Sequence, residues 1–438
     1  MKNKTFWAAA GKGLAAMTVM LIVVLALVPA SLAAKYKVLH RFYQISGQHS
    51  DGTSPYGGLV FDAAGNLYGT AFWGYGGGCM WHGCGSAFEL TPNQDGTWAE
   101  QILFGFADWG PPGTWPASSL IFDAAGNLYG TAQQGGDTYA CNSPYYATGC
   151  GVVFMLAPNP DVTWTESVPY TFTGGSDGAY PFAAVIFDSS GNLYGTAPGG
   201  GSYGYGVVFK LTKNTDGTWS ESVLHQFTGE KDGANPYASL IFDAAGQLYG
   251  TTWAGGAYGF GTAFKLTPNT DGTWTEKVLH QFSNGADGAN PHAGMVSDPA
   301  GNLYGTTANG GKYGLGNVFK LWLGSDGIWR RRWLHQFRGG KDGANPYASV
   351  ALDAAGNLYG TTVNGGTYGV GTVFRLTLGT DGVWRERAMH HFKGQPARNP
   401  YAGVTLDAVG NLYGTTSGGN SDCSYYLNDC GAVFEITP

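Results

Sequence analysis

The sequence predicts an all-β fold, a seven-bladed β-propeller with four strands per blade, and three observations carry that prediction. The string G-[NQ]-L-Y-G-T occurs seven times, with its tyrosine at Tyr68, Tyr129, Tyr194, Tyr249, Tyr304, Tyr359 and Tyr413. Each plain copy belongs to a unit of about 55 residues that breaks at Gly-bearing turns into four strand-like runs. The two ends of the chain beyond residue 34 each supply what the other lacks.

The unit 235–282 shows the division. ASLIFD, QLYGTTW, GTAFKLT and TWTEKVLHQF alternate or run apolar as strands do, and AAG, GGAYGFG and PNTDG separate them. No helical period is sustained. The fourth run carries the charges (Trp274-Thr275-Glu276-Lys277, Trp384-Arg385-Glu386-Arg387), as an edge strand facing solvent should, and the first is almost uncharged. The first strand is therefore expected to line the channel and the fourth to face solvent. Tyr36-Lys37-Val38-Leu39-His40-Arg41-Phe42 matches a fourth strand, and Gly431–Thr437 matches a third. Pairing the N-terminal strand with the C-terminal blade closes the ring, so 35–438 reads as one domain.

Composition agrees. Gly accounts for 73 of 438 residues, against an average of roughly 7%. With 14% aromatic and 12% charged residues, the chain is neither a disordered tail nor, lacking a three-residue glycine period, collagen. The net charge is −7, which argues against nucleic acid as a partner. The one basic cluster (Arg330, Arg331, Arg332, Arg385, Arg387) reads as a solvated strand edge. Residues 1–34 read as a signal peptide: Lys2, Lys4 and Lys12, an apolar run from about Leu14 to Pro29, then Ser31-Leu32-Ala33 before the cleavage point. The mature protein is expected to be secreted, periplasmic or at the cell surface, a monomer without a membrane span.

The GNLYGT core, the GGxYGxGTVF after it and the VLHQF…DGANPYA link resemble the GloVer tandem repeat, found in a choice-of-anchor family of exported bacterial proteins, over about 36–438. That resemblance implies export and repeat architecture and supplies no reaction. The sequence stops at Pro438 directly after a strand, so no C-terminal anchor is expected.

Function is expected on the face that carries the second-to-third turns and the links between blades. There Cys79/Cys84, Cys141/Cys150 and Cys423/Cys430 each fall within one loop, which predicts three local disulfides. Their blades (one, two and seven) are consecutive in the closed ring. The stapled loops carry Trp73, Tyr75, Trp81, Asp137, Tyr139, Tyr145, Tyr146, Asp422, Tyr425 and Tyr426, candidate residues for stacking on sugar rings or anchoring a protein partner. No catalytic residue is assigned. Gly200-Gly201-Ser202-Tyr203-Gly204 matches G-x-S-x-G, but sibling blades place Ala257, Lys312 and Thr367 at the serine position. His40, His225, His280, His335 and His390 recur at one fourth-strand position, which suggests a structural hydrogen bond. Asp51, Asp177, Asp232, Asp287 and Asp342 open the links as turn formers. The leading expectation is a non-catalytic module binding a glycan or cell-surface partner. The alternatives are a polysaccharide lyase, glycosidase or lactonase using link aspartates converging at the channel mouth, or a purely structural repeat. No cofactor or metal is expected, Ca²⁺ being the one ion such aspartates could hold.

Overall fold

In a computed structural model, the described residues are 34–43, 51–75, 79, 83–107, 113–136, 141–143, 146–147, 149–419 and 430–438. They form seven antiparallel sheets in a ring, each a blade of four strands in order, with a fifth short strand in blade two where Thr114–Pro116 also pairs with Leu128–Gln134, plus a two-stranded hairpin (Asn142–Ser143 with Tyr146–Ala147). Blade four is representative: Ile241–Phe242, Leu248–Thr252, Thr262–Pro268 and Trp274–Gln281. The first strand keeps only two paired residues, shorter than its apolar run suggests, and the residues just before it (Tyr237, Ala238 and Ser239 in blade four) line the channel. Among the described residues no helix is long and apolar enough to cross a membrane.

Closure occurs as the chain ends predict. Lys35–Arg41 pairs antiparallel with Ala432–Thr437 and becomes the fourth strand of blade seven. Every junction between blades then repeats one packing pattern. The glycine of Y-G-T is required because the third-strand phenylalanine opposite lies over it: a Cβ on Gly250 would sit 2.6 Å from Phe264 Cζ. That ring meets, edge to face, the phenylalanine that ends the fourth strand of the preceding blade. Phe227–Phe264 is 5.2 Å between centroids, and Phe42–Phe88, across the closing junction, is 5.1 Å. The tyrosine of the motif packs on the next blade's tryptophan, as in Tyr194–Trp274 at 6.2 Å. The threonine of the motif donates to a backbone carbonyl of the next blade's first-strand segment: Thr196 to Ala238 O at 3.0 Å, and Thr415 to Gly57 O at 3.1 Å across the closure. The core is accordingly seven similar clusters, each bridging two blades.

Fourth strands carry ionisable residues on both faces, exposed on one and half-buried on the other. Trp274–Gln281 alternates half-buried and exposed residues, with Thr275 and Lys277 outward and Glu276 turned toward the neighbouring blade.

Candidate functional site

The links between blades decide what enters the channel. In all seven, the residue before the link proline adopts a left-handed backbone: Ser54, Trp115, Tyr180, Asn235, Asn290, Asn345 and Asn399, with φ between 53° and 63°. Asparagine tolerates this conformation better than other non-glycine residues. Its side chain also anchors the turn. Asn235 Nδ2 donates to Pro198 O at 2.9 Å and Asn290 Nδ2 to Trp253 O at 3.0 Å, each in the second-to-third loop of the preceding blade. The turn swings the residue after the proline into the channel: Tyr56, Ala117, Phe182, Tyr237, His292, Tyr347 and Tyr401.

Six of these seven are rings, and with their neighbours they make an aromatic collar interrupted at blade two. Tyr237 stacks on His292 at 5.3 Å and 14°. His292 meets Tyr347 at 5.4 Å, Tyr347 meets Tyr401 at 5.5 Å, and Tyr401 meets Tyr56 at 5.3 Å. Beyond Tyr56 the series runs through Phe72 to Trp73 and Trp115. At its other end Phe182 packs on Tyr237 and His292. Between Phe182 and Trp115 stands blade two, whose Ala117 leaves a gap. Trp115 Nε1, at the edge of that gap, is buried without an acceptor.

The collar surrounds a cavity of about 640 Å³ whose lining includes no Asp, Glu, Lys or Arg. Its polar side-chain groups are hydroxyls (Ser118, Ser119, Ser239, Ser349, Thr405 and the tyrosines), one imidazole and the Trp73 indole N–H. Burial pushes His292 down to about 4, against a backbone hydrogen bond with Tyr347, so it is neutral at pH 7. Burial likewise raises Tyr56, Tyr237 and Tyr347, which stay protonated. The surface is apolar and stacking, with neutral hydrogen-bonding groups and no formal charge. Such a surface can hold a ring-bearing ligand by face contact and hydrogen bonds.

Of the stapled-loop candidates, Trp73 lines this cavity. The Tyr75 ring lies over Gly105, where any Cβ would overlap it. Only the backbone of Tyr146 is described, in the hairpin of blade two. Trp81, Asp137, Tyr139, Tyr145, Asp422, Tyr425 and Tyr426 lie outside the described residues. Disulfides Cys79–Cys84 and Cys141–Cys150 are formed. Cys430 is disulfide-bonded as well, and its expected partner Cys423 lies outside the described residues. The sequence reading missed the collar itself. Its signal was present, as an aromatic or His after the link proline in six of seven links, but the links read only as turns.

The link aspartates do not line the cavity. Each of the five accepts from the backbone at the end of the preceding fourth strand, as in Thr228 N to Asp232 at 2.8 Å. Four take the recurring histidine as partner: His40–Asp51 at 2.8 Å, His225–Asp232 at 3.4 Å, His280–Asp287 at 3.0 Å and His335–Asp342 at 2.9 Å. At Asp177 the partner is Tyr170, whose hydroxyl donates at 3.0 Å. His390 has no such aspartate, since its link reads Gln395-Pro396, and stacks on Tyr36 at 3.9 Å. Ser202 lies in an exposed turn with no helix after it. The basic cluster is not uniformly solvated. Arg330 and Arg385 form exposed pairs with Asp326 and Asp381, whereas Arg331 turns inward and pairs with Asp287.

The fold and the channel define a closed β-propeller whose uncharged mouth is ringed by aromatic side chains. The Gloeobacter/Verrucomicrobia repeat matches residues 136–328 and 272–438, and the chain belongs to that repeat family. No curated protein matches it in sequence. Among solved structures, it is similar to a glucose-dehydrogenase-type oxidoreductase from Thermus thermophilus, at 15% identity and TM-score 0.39 over 92% of this chain and 100% of that one. It is also similar to a protein described as a gluconolactonase, at 14% identity and TM-score 0.36 over 70% of this chain and 87% of that one. Both likenesses are of fold alone.

Proposed function

We propose that this protein is an exported, non-catalytic binding module whose ligand seats in the aromatic collar, and that the ligand is a neutral glycan presented by a cell envelope or matrix. The observation that carries this reading is the collar: a series of rings that borders an uncharged cavity at every blade but the second. Carbohydrate faces present C–H groups that stack on aromatic rings, while hydroxyls at the edge hydrogen-bond neutral partners such as Ser239, Ser349 and His292. An anionic or cationic ligand would find no counter-charge there. Export rests on the N-terminal basic and apolar segment and agrees with the disulfides.

A glycan-array screen of the purified chain tests the proposal. Binding of at least one neutral oligosaccharide, weakened at least tenfold by Tyr237→Ala, is expected. Failure to bind any glycan, or binding indifferent to Tyr237→Ala, overturns it.

A further inference from the structure

Outside the channel, the junctions between blades repeat a second arrangement, and at one of them it assembles three metal-ligating side chains. His335 stands one residue before the end of the fourth strand of blade five, Asp342 opens the following link, and Glu386 stands on the fourth strand of blade six. One ligand atom from each lies within 4.8 Å of the others, the only such His/Cys/Asp/Glu group among the described residues. Asp342 is held in place by the Arg338 N–H at 2.7 Å and by His335 Nε2 at 2.9 Å. Glu386 Oε1 is shielded from solvent without a hydrogen-bond partner, as are the matching oxygens of Glu100, Glu166, Glu221 and Glu276, and among the described residues Glu386 is the one of these that stands within 4.8 Å of both a histidine and an aspartate ligand atom.

The neighbouring junction shows what that position accepts. On the fourth strand of blade five, Arg331 stands where Glu386 stands in blade six, and its guanidinium pairs with Asp287, the equivalent of Asp342. There the chain supplies its own buried cation, and the third carboxylate is absent. At the blade five–six junction the carboxylate is present and no arginine fills the place. We infer that the site formed by His335, Asp342 and Glu386 binds a divalent cation of the Zn²⁺ or Mn²⁺ class. One imidazole with two carboxylates is a donor set for such ions, whereas Ca²⁺ takes oxygen ligands alone. Bonds of about 2.0–2.2 Å draw the three donors in from their present spacing. The metal displaces the proton on His335 Nε2, which passes to Nδ1 or to solvent, so uptake at constant pH releases no more than the protons the three groups hold. A cavity of about 340 Å³ lined by His335 and Trp384 gives solvent a path to the imidazole. Arg338 and Lys312 also line it; Arg338 is exposed, and the Lys312 ammonium lies over the Tyr313 ring at 5.5 Å.

Equilibrium dialysis of the chelator-treated chain against Zn²⁺ alone, and separately Mn²⁺ alone, tests the inference. The native chain should bind at least one equivalent of one ion in the micromolar range. Glu386→Gln and His335→Asn should each lose one equivalent while still unfolding cooperatively, at pH 5 at a temperature close to that of the metal-free native chain. Arg331→Glu, which places a carboxylate opposite His280 and Asp287, should gain one. Should Glu386→Gln and His335→Asn bind as much metal as the native chain, or the native chain bind none, the inference fails.

Discussion

The channel mouth and the outer rim are built from the same repeat, yet they use its variation in opposite ways. At the mouth, one backbone position per blade varies among Tyr, Phe, His and Ala, and none carries a charge. At the rim, the corresponding position varies among Glu, Arg331 and Tyr36, and each change is answered on the neighbouring blade. Arg331 meets Asp287, and Tyr36 meets His390 where the aspartate is missing. Rim residues are thus chosen against each other, as structural contacts are. Collar residues face a space that the chain leaves open.

If that contrast holds, removing a ring should cost very different amounts in the two places. Phe227→Ala, which empties the fully buried contact with Phe264, should lower stability by about 3–5 kcal/mol. Tyr237→Ala, at the half-buried collar, should lower it by only about 1 kcal/mol. Urea denaturation of both variants decides the point, and equal losses would break the comparison. Arg331→Ala should come next, at about 3 kcal/mol, because it leaves Asp287 buried without its cation.

Smaller but diagnostic is the pH dependence of the rim. Burial raises Glu100, Glu166, Glu221 and Glu276 from 4.5 to about 7. Burial, with the Asp342 charge beside it, raises Glu386 to about 8. A carboxyl raised in the fold contributes stability that is complete below its unfolded value and is lost as pH climbs through its folded value. Burial moves His280, His292 and His390 from 6.5 to about 4, so their contribution is complete above 6.5 and lost as pH falls toward 4. The two trends cross, and the metal-free chain should be most stable near pH 5, with Tm falling by roughly 5 °C from pH 5 to pH 8. Glu386→Gln should flatten that fall and raise Tm at pH 8. The smallest effect expected is that of Ser202→Ala, which changes an exposed turn and should leave Tm within about 1 °C.

The blade count, strand order and ring closure were legible in the sequence because each rests on a local signal repeated seven times. Tyr36–Phe42 and Gly431–Thr437 could be matched to their strand types by residues alone, and their pairing followed. The two sites were less legible for a geometric reason. Whether Tyr237 points into the channel depends on the left-handed backbone at Asn235, which Asn-Pro permits but does not dictate. Glu276 sits between two exposed residues on a charged strand, and only the approach of the neighbouring blade shows that it is half-buried. Four of the link aspartates weighed as a converging set at the mouth are instead held by histidines, and Asp177 by Tyr170; the recurrence of those histidines was visible in the sequence and their partners were not.

The central claim, that the collar and not the outer face of the ring receives the ligand, is tested most directly by calorimetric titration of one oligosaccharide that binds the native chain. The titration should compare the double variant Tyr237→Ala/Tyr347→Ala with Tyr203→Ala/Tyr258→Ala, whose tyrosines are each 60% exposed on the surrounding loops. The collar variant should lose affinity at least 100-fold, and the loop variant should bind as the native chain does. Native-like binding by the collar variant, with loss in the loop variant, would contradict the account.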